Sequence, residues 1–162
     1  MKKLILSDTN IWIDVNVGGI LEQVFRLPYH FSMADLAFVE LQSLNGGRLL
    51  ELGLRLLELD EDGIEEVLAL GQKYRGPKRA DLASLVNCKR EGVSLLTGDA
   101  SLRKAAENEG VEVHGLIWIL DQLVQMGCLA KKQAALSLGK IVAANDRLPK
   151  GEIRHRLRIW DD

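Results

Sequence analysis

Two rhythms of apolar residues run along the chain. Lys3-Leu-Ile-Leu-Ser7 is a short continuous apolar run closed by polar residues, the pattern of a strand buried on both faces. Residues 11–26 switch to helical spacing, with Ile11, Ile13, Val15, Ile20, Leu21 and Val24 interrupted at Gly18-Gly19 and stopped at Pro28. Residues 29–31 predict a second short strand. Ser32-Met-Ala-Asp35 has the S-x-x-D form of a capping box and predicts a helix running to about Asn45, closed by Gly46-Gly47. Residues 54–59 predict a strand, 60–74 an amphipathic helix broken at Gly76-Pro77, and 81–91 a helix ended by Gly92. Residues 93–97 form the second clear apolar run. A short helix over 101–109 with Gly110 at its end, a strand over 111–113 and helices over 116–126, 130–144 and 151–160 complete the pattern. Strands alternating with helices imply an α/β fold, a parallel sheet sandwiched between helices. The boundaries read as an α/β domain over residues 1–126 and a helical, basic C-terminal extension over 127–162 that packs on the domain or on a partner.

The 162 residues suit one domain of ordinary size, and 47% apolar content is too high for a disordered chain. Two cysteines, Cys88 and Cys128, are too few for a disulfide scaffold and lack the paired spacing of a zinc site, so a reduced, cytoplasmic setting is expected. The opening MKKLILSDTN has no apolar run long enough for a signal or membrane segment. Net charge is −2, which excludes a strongly basic nucleic-acid binder, but its distribution is uneven. Residues 129–162 carry eight Lys or Arg against four acids, while residues 1–128 carry thirteen against nineteen. A basic tail is thus joined to a body with concentrated negative charge.

The acids are where the chemistry lies. Asp8 follows the first strand directly, and Asp99 follows the 93–97 strand after one glycine. In an open parallel sheet, ligands bind beyond the carboxyl ends of the strands, so both acids fall at that edge; each is also well placed to cap the helix that follows. Glu40, on a helix counted from Met33, falls inside the apolar arc of Met33, Leu36, Ala37, Leu41 and Leu44, where a carboxylate is costly unless paired, protonated or metal-bound. Asp81 opens the 81–91 helix at the margin of its apolar face, a position that is also electrostatically favoured. Four carboxylates at one edge repel by about 3 kcal/mol per pair at ~6 Å and an effective dielectric of ~20. Hard divalent cations relieve this, and the absence of nearby His or Cys favours Mg²⁺ or Mn²⁺ over zinc. His30, His114 and His155 read as scattered structural or surface residues.

Leu4-Ile-Leu-Ser-Asp8-Thr-Asn-Ile-Trp-Ile, the helical Glu40, Ala80-Asp81-Leu-Ala and Leu95-Leu-Thr-Gly-Asp99 together resemble the PIN domain (named for the PilT N-terminus) over roughly residues 3–126. The resemblance implies a sheet between helices, Mg²⁺- or Mn²⁺-dependent endoribonuclease activity and RNA as partner. It also makes the toxin of a toxin–antitoxin pair one form this chain could take, with an antitoxin protein as its partner. Carried over, Asp8, Glu40, Asp81 and Asp99 are the catalytic acids. Asp8, Asp81 and Asp99 hold metal, and Glu40 acts through a water or as the base. Thr9, Asn10 and Thr97 orient water or a carboxylate. Ser101 stands where many relatives have a further acid, and the basic helical tail is absent from compact toxins. The acids repel RNA, so phosphate binding is expected from Lys78 and Arg79 just before Asp81.

Two other classes fit parts of the pattern. A degenerate PIN-like module binding RNA or protein would keep the fold without the chemistry. A phosphotransferase of the haloacid dehalogenase type would use the strand-end Asp as nucleophile, but wants an acid where Asn10 stands. The apolar helix over 116–126 reads as core, with a homodimer face as its alternative.

Overall fold

The computed structural model describes residues 2–41 and 46–161. Five strands, β1 (Lys3–Ser7), β2 (Tyr29–Ala34), β3 (Arg55–Leu57), β4 (Ser94–Leu96) and β5 (Val113–His114), form one all-parallel sheet in the order β3-β2-β1-β4-β5. The most apolar run, β1, is central, with Ile5 facing Phe31 on one side and Ser94 on the other. Strand order reverses between β1 and β4, which makes the carboxyl end of that pair the switch point where such sheets form clefts.

The helices are α1 (Thr9–Val17), α2 (Leu21–Val24), α3 (Asp35–Phe38), α4 (Gly46–Leu52), α5 (Glu61–Lys73), α6 (Arg79–Glu91), α7 (Ala100–Asn108), α8 (Leu116–Gln125), α9 (Lys131–Ala144) and α10 (Lys150–Trp160). Helix α6, almost wholly buried over residues 80–88, lies against β1, β2 and β4 with α3 and α5 beside it, while α1, α8 and α9 pack on one another. Trp12 of α1, fully buried, stacks on Phe25 at 5.1 Å and meets Phe31 edge-on at 5.6 Å. This aromatic knot fixes α1 against the sheet. The stripe Leu116, Ile117, Ile119, Leu120 and Leu123 of α8 is buried as core. Among the described residues, no helix is long and apolar enough to cross a membrane.

The C-terminal helices dock on the body at identifiable points. Gly18 lets α9 come close, since a Cβ there would lie 2.8 Å from Ile141 Cδ1, and Ser137 Oγ donates to the Gly18 carbonyl at 2.9 Å. Asn145 Nδ2 donates to the buried Asp14 at 3.0 Å, and Arg156 of α10 grips Asp121 of α8 with bonds of 3.2 and 2.8 Å.

Five expectations need correction. The segment Ser32-Met33-Ala34 is strand, not the opening of a helix. Its register pairs it with both β1 and β3, and Ser32 Oγ donates to the Ile5 carbonyl at 3.0 Å, so ladder pairing on two sides overrides the local capping signal. The helix that follows is the single turn α3, and the expected end near Asn45, with Leu44, lies outside the described residues. Gly46-Gly47 begin α4 instead of closing a helix. Helix α6 starts at Arg79, so Asp81 sits in its first turn without opening it, and β5 falls at Val113–His114, where the register with Leu95-Leu96 puts it.

Candidate metal centre at the carboxyl edge of the sheet

Three backbone events build the site. Where β1 ends, the Asp8 N–H still donates to the Leu96 carbonyl at 2.9 Å, so Asp8 lies in line with β4 before α1 begins. Its carboxylate caps α1 through the Ile11 N–H at 3.3 Å. Where β4 ends, the fully buried Thr97 donates its hydroxyl to Asp8 Oδ2 and accepts the Asp99 N–H at 3.1 Å. One threonine side chain therefore fixes both strand-end acids relative to each other. Asp99 caps α7, its Oδ1 accepting from the Ser101 N–H at 2.8 Å, Ser101 Oγ at 2.9 Å and the Leu102 N–H at 3.3 Å. Among the described residues Asp99 Oδ2 takes no hydrogen bond.

The capping role of both aspartates is thus real, and it fixes the orientation of both carboxylates. It does not remove the electrostatic cost. Burial, with the charges of Asp81 and Asp99 adding to it, pushes the Asp8 carboxyl up to about 7 against the pull of Thr97 and Ile11. Asp81 is also raised, first by burial and then by Asp99 and Glu40, while the Lys78 N–H at 3.0 Å works the other way. The four predicted acids are therefore electrostatic neighbours. They are not a closed shell: among the described residues, no three His, Cys, Asp or Glu side chains group as a metal site.

Glu40 reaches this neighbourhood by a route different from the expected one. It is exposed in the turn after α3, not on a buried stripe, and Leu36 of that supposed stripe is exposed too. Thr9 Oγ1 donates to the Ala37 carbonyl at 3.0 Å, and the Glu40 N–H donates to the same carbonyl at 3.1 Å, so Thr9 ties the segment bearing Glu40 to the start of α1. Asn10 is half-buried and makes no side-chain hydrogen bond among the described residues. Of the predicted basic pair, Lys78 stands beside Asp81, and Arg79 lines a groove with Val67, Gly71 and Leu82 between α5 and α6. The loop before Lys78 is pinned at two points. Tyr74 donates its hydroxyl to Glu109 at 2.6 Å, and Gly76 passes so near Ser101 that a Cβ there would lie 2.7 Å from the Ser101 Cβ.

A family model described as a PIN domain matches residues 78–162. The chain belongs to the PIN-domain family. The matched part holds Asp81, Thr97, Asp99 and all three C-terminal helices. The fold is similar to that of a PilT N-terminus domain protein, SSO1118, from the hyperthermophilic archaeon Sulfolobus solfataricus P2, with a TM-score of 0.52, 12% identity, and 75% of this chain and 94% of that one covered. It is similar as well to PAE2754 from Pyrobaculum aerophilum (TM-score 0.53, 12% identity, 76% and 90% covered). A toxin–antitoxin complex from Klebsiella pneumoniae aligns with a TM-score of 0.45 and 21% identity over 59% of this chain and 86% of that one. Comparison with curated protein sequences gives no match.

For this PIN domain the donor set fits a hard divalent ion. Every candidate atom is a carboxylate oxygen, and Asp99 Oδ2 and Asp81 Oδ1 take no protein hydrogen bond among the described residues. Burial and like charge raise Asp8 and Asp81, the imbalance a cation would correct. Sequence reasoning missed the lining next to this edge, Arg103, His114 and Trp118. His114 ends β5, and the strand-end rule that picked out Asp8 and Asp99 selects it too.

Thr97→Val removes the hydroxyl that links Asp8 and Asp99 while keeping the shape. We expect a 10- to 100-fold loss of metal affinity, of the size seen when groups that orient ligands are deleted, with a small change in melting temperature. Calorimetric titration with Mn²⁺ measures it, and unchanged affinity would show that the threonine only fills space.

Proposed function

We propose that this PIN domain is a Mg²⁺- or Mn²⁺-dependent endoribonuclease, with Asp8, Asp81 and Asp99 holding the metal and Glu40 at the mouth of the site. The observation that supports this best is the buried Asp8 carboxylate, raised to about 7 beside two further acids at the switch point of the sheet. A structural acid in that position would be matched by an arginine or lysine, and the hydrogen bonds to Asp8 come instead from Thr97 and Ile11. RNA as the substrate class comes with the family resemblance.

A bound divalent cation would supply a Lewis acid beside the scissile phosphate and lower the pKa of water there. The chain does the rest. Thr97 and the helix caps hold Asp8 and Asp99 in fixed orientations, so little reorganisation is needed when the phosphate arrives. Asp81 completes the negative pocket from the side of α6. Glu40, exposed and next to Asp81, is free to accept a proton from water entering from solvent. Lys78, beside Asp81, offsets the repulsion that the acids exert on the RNA backbone.

The test uses the full chain with a mixed-sequence single-stranded RNA of about twenty nucleotides and a DNA of the same sequence. Cleavage of RNA is expected with Mg²⁺ or Mn²⁺ and none with EDTA, and Asp99→Asn is expected to slow it by at least about a hundredfold. Cleavage that survives EDTA, or that Asp99→Asn leaves intact, would overturn the proposal.

A further inference from the structure

A cavity of about 750 Å³ opens at the carboxyl end of β4 and β5, bounded by Thr97, Gly98 and Ala100 on either side of Asp99 in sequence, the end of β5, the start of α8 and the start of α10. Its size is that of sites that take small ligands or a nucleotide. We infer that this cavity is a subsite for single-stranded RNA, seating the nucleotide next to the phosphate at the acids. The inference rests on the nuclease reading above, which supplies the phosphate at the acids.

The walls carry the two chemistries that a nucleotide needs. For phosphate there are guanidiniums. Arg103 lies against the backbone at Gly115, its Nη2 3.3 Å from where a Cβ would be, and forms no ion pair among the described residues. Arg147 donates from its Nε to the neutral Asn145 amide oxygen at 3.4 Å, and its charge also acts on Asp14. Arg156 is already matched by Asp121, so it serves as a fixed wall and contributes no net charge. Among the described residues Glu152 is the one other acid on the lining, which leaves the cavity net positive. The first turns of α8 and α10 also face it, neither with a side-chain cap, and their free N–H groups add to the positive potential.

For the base there is a flat aromatic wall. His114 stacks on Trp118 at 4.1 Å and 12°, and Trp118 leans on Tyr29 at 5.6 Å. The Tyr29 hydroxyl donates to Gln122 at 2.7 Å, holding that side of the stack. A rigid aromatic face accepts any base without reading it, and it needs a base that is not already paired, so the fit is to a single strand. Thr97 joins the two sites: its hydroxyl is bonded to Asp8 and it also lines the cavity. A strand with one phosphate at the acids therefore leads its next nucleotide into this space.

Binding is measured on the full chain in EDTA, where no cleavage occurs, with a uridine decamer as probe. Trp12 and Trp160 are buried and Trp118 is half-buried, so quenching of tryptophan fluorescence reports on this wall. The decamer is expected to quench the wild type. Arg103→Gln and Arg147→Gln, both exposed positions, should each weaken binding about tenfold and lower the slope of log K against log salt by about 0.7. Trp118→Phe should bind, followed by the anisotropy of labelled decamer, with the quench gone. Arginine variants that bind at wild-type strength, or a poly-glutamate peptide that competes as well as RNA, would overturn the subsite. The two readings separate cleanly. Asp99-dependent cleavage with normal binding by the arginine variants sinks the subsite alone. Loss of binding in those variants, together with a wild type that never cleaves, sinks the nuclease reading and leaves an RNA-binding cavity.

Discussion

Asp8→Asn is expected to make the folded chain more stable at pH 8 while cutting metal-dependent cleavage by about a thousandfold or more. The two effects have one cause. The Asp8 carboxyl is raised to about 7 in the fold against 3.8 for a solvent-exposed carboxyl of an unfolded chain. Burial is the main reason, with Asp81 and Asp99 adding to it against the pull of Thr97 and Ile11. Between those pH values the folded chain binds more protons than the unfolded one, so this group's contribution to stability falls as pH rises through that interval. Above about 7 the full cost is present, an upper bound of about 4 kcal/mol for a shift of this size. An amide carries no charge and can still accept from the Ile11 N–H. Urea unfolding of wild type and variant should therefore diverge at pH 8 and converge near pH 4, where the wild-type carboxyl is protonated. Saturating Mn²⁺ should close much of that gap at pH 8, since it stabilises only the chain that binds it, by about 2.7 kcal/mol at a hundred times Kd. A variant less stable than wild type at pH 8 without metal would show that Asp8 is a structural anchor.

Trp12→Ala carries the second large effect, a loss of about 3–5 kcal/mol of stability. Its ring is fully buried, stacked on Phe25 and edge-on to Phe31, so truncation opens a cavity between α1 and the sheet. Trp12→Phe should cost far less. The Trp12 Nε1 donor is buried with no partner among the described residues, and removing an unpaired donor returns about 1–3 kcal/mol against the lost ring area. Urea midpoints for the pair give the contrast. Equal losses would mean that Trp12 Nε1 does have a partner in solution, such as a bound water.

Much of this architecture could be read before any coordinates. The buried strand runs, the parallel character of the sheet and the strand-end positions of Asp8 and Asp99 follow from apolar runs ended by polar residues and from their alternation with helices. What was not legible depended on pairing between distant segments. Ser32 looks like a helix cap in isolation and becomes strand because β1 and β3 flank it. Glu40 was selected for a buried helical stripe that does not exist, yet its charge still acts on Asp81 because Thr9 tethers its turn to α1. Lys78 acts on Asp81, while its neighbour Arg79 lines a groove between α5 and α6, a placement set by where α6 begins. His114 reads as a scattered structural or surface residue in the sequence, and nothing local links it to Trp118 four residues on. Their stacking follows from the short passage from β5 into α8.

The pairing of the first strand with the fourth has a consequence for biosynthesis. Ser7 meets Leu96 across the sheet, and Thr97 is what joins Asp8 to Asp99. While a ribosome is still making the segments in between, the early aspartate has nothing to stand beside, and the nascent polypeptide holds isolated, ordinary carboxylates. Any chemistry born from their crowding therefore begins only after β4 has emerged and docked. A cell translating this message never holds a half-made version of that acidic site.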